Sequence, residues 1–154
     1  MNSRILLFCG IAALVALTTA TGCSLMRPPA AVATAASTTL LNTRWRLTQL
    51  GDEVVTNTAG EREIHITMHS GNTNVTGSGG CNRMFGRYAL EKQKLKFDGL
   101  GGTKMFCDGR MELEQKFNNA LMSAMRWRIT GNTLELFDDR NAAVATFIAS
   151  PATG

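Results

Sequence analysis

From residue 63 to residue 69 apolar and polar side chains alternate without exception, Glu63-Ile64-His65-Ile66-Thr67-Met68-His69. A period of two is the signature of a half-buried strand, with Ile64, Ile66 and Met68 on the inner face. The pattern recurs along the chain. Trp45, Leu47 and Gln49 oppose Arg44, Arg46 and Thr48, and residues 83–91 set Phe85, Arg87 and Ala89 against Met84, Gly86, Tyr88 and Leu90. Residues 126–130, 133–137 and 142–148 repeat it. Turn signals separate these runs: Ser70-Gly71-Asn72, residues 91–94, Gly131-Asn132 and residues 138–141. Residues 73–77 begin a strand that makes a hairpin with 63–69, and residues 54–60 form a polar loop. Leu95-Lys96-Phe97 with Leu100 is a short strand that Gly99, Gly101 and Gly102 break.

One helix interrupts the series. Over residues 108–125 Asp108 is placed to cap the amino-terminal end, and Glu112 and Glu114 suit its dipole. Leu113, Phe117, Ala120, Leu121 and Ala124 form an apolar stripe, with Met111, Met122 and Met125 near its edges, read as gap-filling core in preference to a methionine-rich binding face. A single helix leaves too few crossovers for parallel pairing. The predicted fold is therefore mainly β (α+β), a small antiparallel sheet of about seven to eight strands with one helix packed on it.

The segment Gly77-Ser78-Gly79-Gly80-Cys81-Asn82 is rich in glycine but is followed by a strand. It lacks the Gly-Lys-Ser/Thr ending and the helix that a phosphate cradle requires. Its glycines allow a sharp turn or a close approach of another segment, and Asn82 suits a turn.

Residues 1–22 read as a secretory leader: a short head carrying Arg4, an apolar run over residues 5–17, and a small, polar end. The run falls short of the roughly 20 residues that cross a bilayer. The ending Ala20-Thr21-Gly22-Cys23 resembles the lipobox of bacterial lipoproteins, with Ala20 where leucine is usual. The resemblance implies acylation of Cys23, including palmitate, and Ser24 after it implies sorting to the outer membrane. Several acyl chains on one residue hold a soluble domain stably at a bilayer. Residues 23–39 are poor in large apolar and charged side chains and read as a lipidated cysteine with a flexible linker. The folded domain is then 40–149, with a tail at 150–154.

Of the four cysteines, Cys9 lies in the leader and Cys23 is committed to lipid. Cys81 and Cys107 remain, 26 residues apart. In an oxidising compartment such a pair reads as a disulfide, worth about 3.5 kcal/mol in the chain-entropy picture. Free structural thiols, a thiolate nucleophile and a metal site are the rival readings. A nucleophile would need an activating histidine and zinc would need two further ligands. The only histidines, His65 and His69, lie on one strand face about 13 Å apart at 3.3 Å per residue, too far to share one ion. No metal and no cofactor are expected.

The net charge is +4, but the basic residues are scattered and a single tyrosine is available for stacking, which argues against nucleic acid as a partner.

Taken together, Asn42-Thr43-Arg44-Trp45-Arg46-Leu47, the run from Val75 through Gly80-Cys81-Asn82-Arg83-Met84-Phe85-Gly86 to Tyr88, Gly101-Gly102-Thr103-Lys104-Met105-Phe106-Cys107, Glu114 with Phe117, and Leu134-Glu135-Leu136 resemble the META domain. That family includes heat-inducible outer-membrane lipoproteins of bacteria. The resemblance spans residues 40–148 and marks Gly80, Cys81, Asn82, Gly86, Thr103, Met105 and Cys107 as motif positions. The loop 54–62 lacks the proline-rich, apolar character often seen there. The resemblance implies a barrel-like fold with one helix, no catalytic motif and no enzyme activity.

The expected function is that of a non-catalytic envelope lipoprotein, a tethered binding or stress-protective module of the bacterial outer membrane, with the membrane as partner through its anchor and an unidentified envelope protein as a second. One alternative is carriage of a small apolar ligand, for which Gly77, Gly79, Ala143 and Ala145 would leave room while Trp45, Phe85, Phe97, Phe117 and Trp127 would fill it. Another is inhibition of an exported hydrolase through the loop 104–110. Replacing both Cys81 and Cys107 by Ala should lower the thermal midpoint and leave localisation unchanged; a double variant as stable as the parent refutes the staple.

Overall fold

The computed structural model describes residues 38–56 and 61–151. The leader, Cys23 and nearly all of the linker lie outside the described residues.

Among the described residues nine strands and one helix follow in order: β1 Arg44–Leu50, β2 Glu53–Val54, β3 His65–Met68, β4 Asn74–Ser78, β5 Arg83–Glu91, β6 Lys94–Gly102, α1 Met111–Ser123, β7 Arg126–Thr130, β8 Thr133–Phe137 and β9 Ala143–Ser150. All pairings are antiparallel, and the sheet closes on itself because β1 pairs with β9 as well as with β3 and β2. Closure shortens the exposed edge that an open sheet would present, although β6 meets β7 only at Lys94 and Arg126. The short β2 was not foreseen; it takes up the end of β1 beyond the part that β3 covers, Gln49 opposite Val54.

The alternating segments bury the predicted faces. Trp45, Leu47, Ile64, Ile66, Met68, Val75, Leu95, Leu134, Leu136 and Phe147 are fully buried. The buried Trp45 indole donates to the Leu40 carbonyl at 2.9 Å, which satisfies its one polar atom. Gln49 does not point inward as expected. The register against β9 shifts between Leu47 and Gln49, and the extra residue re-phases the strand so that Leu50 is buried instead.

Four further departures have local causes. Gly99, Gly101 and Gly102 do not break β6, which runs nine residues. Gly99 adopts φ 58° where the register against β5 shifts, and a side chain on Gly102 would meet the Arg83 carbonyl at 2.5 Å. The glycines thus let two strands cross closely. The helix is shorter than residues 108–125, and Asp108 does not cap it: Arg110 occupies the N-cap position without a side-chain hydrogen bond. Met125 already belongs to the sheet side, its N–H donating to the Phe137 carbonyl at 2.8 Å. Strand β9 extends through Ser150, opposite Arg44, and leaves less tail than expected.

Helix α1 packs Phe117 and Leu121 onto the inner face, where Phe117 meets Phe147 edge-on with ring centroids 6.3 Å apart. Lys116 ties the helix to β2 through Glu53 at 3.1 Å. Met111 and Met122 are exposed rather than core, because the stripe through Phe117 and Leu121 already fills the interior. Phe117→Ala should cost about 3–5 kcal/mol in denaturant unfolding, and Met122→Ala less than about 0.5 kcal/mol. Equal losses would contradict this packing.

Candidate functional site

The glycine-rich corner between β4 and β5 meets the loop after β6 and the first turn of α1. Cys81 and Cys107 are joined by a disulfide, with Cα atoms 5.8 Å apart. The corner is tight: the Gly79 N–H donates to the Asn82 carbonyl at 2.9 Å, and Gly80 takes φ 101°, a conformation that disfavours any side chain. A side chain on Gly79 would strike the Glu114 methylene at 2.5 Å. Glycine at that position admits the helix carboxylate.

Glu114 reaches into the corner and accepts three hydrogen bonds. They come from the Asn82 backbone N–H at 2.7 Å, the Cys81 N–H at 3.2 Å and the Asn82 side-chain amide at 2.8 Å. Asn82 is 5% exposed, so every polar atom it carries needs a partner. Its Nδ2 also donates to the Met105 carbonyl at 3.1 Å, and its Oδ1 accepts from the Met105 N–H at 2.7 Å and the Thr103 hydroxyl at 2.8 Å. Because Met105 offers one donor and one acceptor in fixed directions, the orientation of the amide is determined. The side chain of Asn82 acts as one rung of a ladder, pairing with the loop backbone as a strand would. Thr103 Oγ1 in turn accepts from the Arg83 N–H at 3.2 Å, and Arg62 donates to the Cys81 carbonyl at 2.9 Å. Arg110, a cation at the unfavourable end of the helix dipole, is offset by an ion pair with Glu61.

The loop so held presents its side chains outward. Met105 is 54% exposed and Phe106 80% exposed. Their backbone is fixed on one side by Asn82 and on the other by the disulfide.

Of the predicted motif positions, Gly80, Cys81, Asn82, Thr103, Met105 and Cys107 come together here. Gly86 lies apart, on β5, where a side chain would press on Leu100 at 2.7 Å; it serves the β5–β6 crossing. In the sequence Glu114 stands as a complement to the helix dipole and as part of the family resemblance, not as a partner of Asn82. The absence of a side chain at Gly79 is the sequence signal for its approach, and that signal does not name the partner. The glycines expected to leave room for a ligand admit neighbours instead: a side chain on Gly77 would collide with the His65 carbonyl.

The two histidines are engaged separately. His65 Nδ1 donates to the Glu63 carbonyl at 3.0 Å and Nε2 accepts from Arg44 at 2.9 Å, which fixes the neutral tautomer. Burial above all, and the Arg44 charge, lower its pKa against the Glu63 hydrogen bond. His69 Nε2 bonds the Thr76 hydroxyl at 2.8 Å. Among the described residues no three His, Cys, Asp or Glu side chains cluster as metal ligands.

Residues 38–151 match the sequence profile of the META domain. The chain belongs to the META domain family. A solved structure from Burkholderia xenovorans, determined by NMR, is 30% identical and superposes with a TM-score of 0.61, covering 73% of this chain and 84% of that one. A second NMR structure, 23% identical over 73% of this chain and 92% of its own, superposes at 0.57. A DUF4847 family protein from Bacteroides vulgatus, 14% identical over 72% of this chain and 94% of its own, shares the fold at 0.52. No curated protein matches the chain.

Asn82→Asp is the sharpest probe of the corner, since it keeps the shape and places a second carboxylate oxygen 2.8 Å from Glu114 Oε1. At neutral pH it should cost about 2–4 kcal/mol in unfolding free energy, with part regained in mild acid as the pair takes up a proton. A variant as stable as the parent at pH 7 refutes the network.

Proposed function

We propose that this META domain is a non-catalytic recognition module, held at the bacterial outer membrane by an acylated Cys23, and that the loop of residues 103–110 is its contact for a partner protein. The observation that carries this reading is the contrast within Met105. Both of its backbone groups are bound by Asn82, while its side chain and that of Phe106 face solvent.

A loop of the bare chain would lose entropy on binding. One already held by a disulfide and a side-chain ladder loses little, so more of its contact energy appears as affinity. An exposed Phe on such a loop is an anchor for a pocket on the partner, the geometry an inhibitor of an exported hydrolase would use. Carriage of an apolar ligand is less favoured, because Trp45, Phe117 and Phe147 occupy the interior without exposure. Anchoring rests on the leader and on Ala20-Thr21-Gly22-Cys23.

A photo-reactive residue at position 106 should crosslink one discrete envelope protein in intact cells, and the same residue at Thr130 should not. Labelled palmitate should enter the wild type and be lost in Cys23→Ser. Crosslinking indifferent to position overturns the loop as the contact, and a Cys23→Ser protein that still takes up label overturns the anchor.

A further inference from the structure

The seam between β6 and β7 is short. It is held where Lys94 opposes Arg126, with the Leu95 N–H donating to the Met125 carbonyl at 3.0 Å and the Trp127 N–H to the Gln93 carbonyl at 3.1 Å. Beyond it the chain leaves as α1, and among the described residues the far edge of β6 over 96–102 has no strand partner. Along that edge Lys96, Asp98, Gly99, Gly101 and Gly102 are exposed. Helix α1 stands across from the edge, leaving a cleft of about 330 Å³ between Leu100, Gly101 and Gly102 on one side and Glu114, Asn118 and Met122 on the other. That volume lies at the small end of the range for binding clefts. Met122 offers an exposed apolar surface on the helix side.

We infer that this cleft accepts an extended peptide segment of a partner protein, which adds to β6 as a tenth strand and carries acidic side chains. Unpaired backbone groups on an exposed edge supply the hydrogen bonds of strand addition, and the flanking side chains select the sequence. Charge identifies the partner. Arg83, Lys96 and Lys104 surround the edge and, among the described residues, none has an ion-pair partner. Asp98 is the single acid on β6, and the Glu114 carboxylate is already met by three N–H donors. Acidic side chains opposite Lys96 and Lys104 gain cross-strand attraction.

The same charges disfavour a second copy of the chain. Antiparallel pairing of two β6 edges centred on Leu100 sets Lys96 against Lys104 of the other copy, and centring on Gly99 sets Lys94 against Lys104. Like charges directly opposite are destabilising. The cleft shares Thr103 and Lys104 with the loop 103–110 but makes no use of Phe106, which does not line it.

Phage-displayed random dodecapeptides selected against the full chain provide the test, with bound peptides mapped by amide chemical shifts and hydrogen exchange. Enriched peptides should alternate apolar with acidic residues and should shift and protect amides within 97–103. They should bind at least about tenfold more weakly to a Lys96→Glu/Lys104→Glu variant of unchanged thermal midpoint. Phe106→Ala should bind them as the parent does, which separates this site from the loop. No enrichment, mapping to another surface, or undiminished binding to the charge-reversed variant overturns the proposal. So does protection of the same amides that rises with protein concentration alone, which would make a second copy the occupant.

Discussion

The amide of Asn82 holds together segments that the sheet by itself would leave separate. Its two donor positions and two acceptor directions are filled by Met105, Thr103 and Glu114. A buried amide with all partners present fixes one arrangement, whereas losing any partner leaves a desolvated group behind. The loop after β6, the glycine corner and the first turn of α1 are therefore coupled: none can move far without breaking bonds in the other two. The Cys81–Cys107 bridge ties the same segments covalently, and the network sets their relative orientation.

This arrangement divides the labour between backbone and side chain. At Met105 the backbone is structural and the side chain is displayed. At Glu114 the opposite holds, with an ordinary helical backbone and a side chain reaching into the corner through the gap at Gly79. The motif positions at this corner thus hold the loop backbone while the Met105 and Phe106 side chains face solvent.

Most of the fold was legible because a period of two carries over directly into burial, as Ile64, Ile66 and Met68 show. The failures came where one residue alters the phase. The extra residue near Thr48 sends Leu50 inward, and the glycines of β6 were read as breakers when they serve as clearance for a neighbouring strand. In the site, the disulfide follows from counting cysteines, but the Asn82–Glu114 contact joins residues on separate elements and has no periodic or compositional trace. The helix start differs for a related reason: Asp108 has the chemistry of a cap, but it sits inside a turn closed by the Arg110 N–H on the Cys107 carbonyl, and the helix begins after Arg110.

The closure of the sheet between its first and last strands sets an order of events in folding. Leu47 lies against Phe147, a contact spanning about a hundred residues, and such distant pairings form slowly. Until β9 emerges, the open side of β1 exposes backbone groups on which an incomplete chain can pair wrongly. The topology itself therefore postpones the native state until nearly the whole domain has been synthesised.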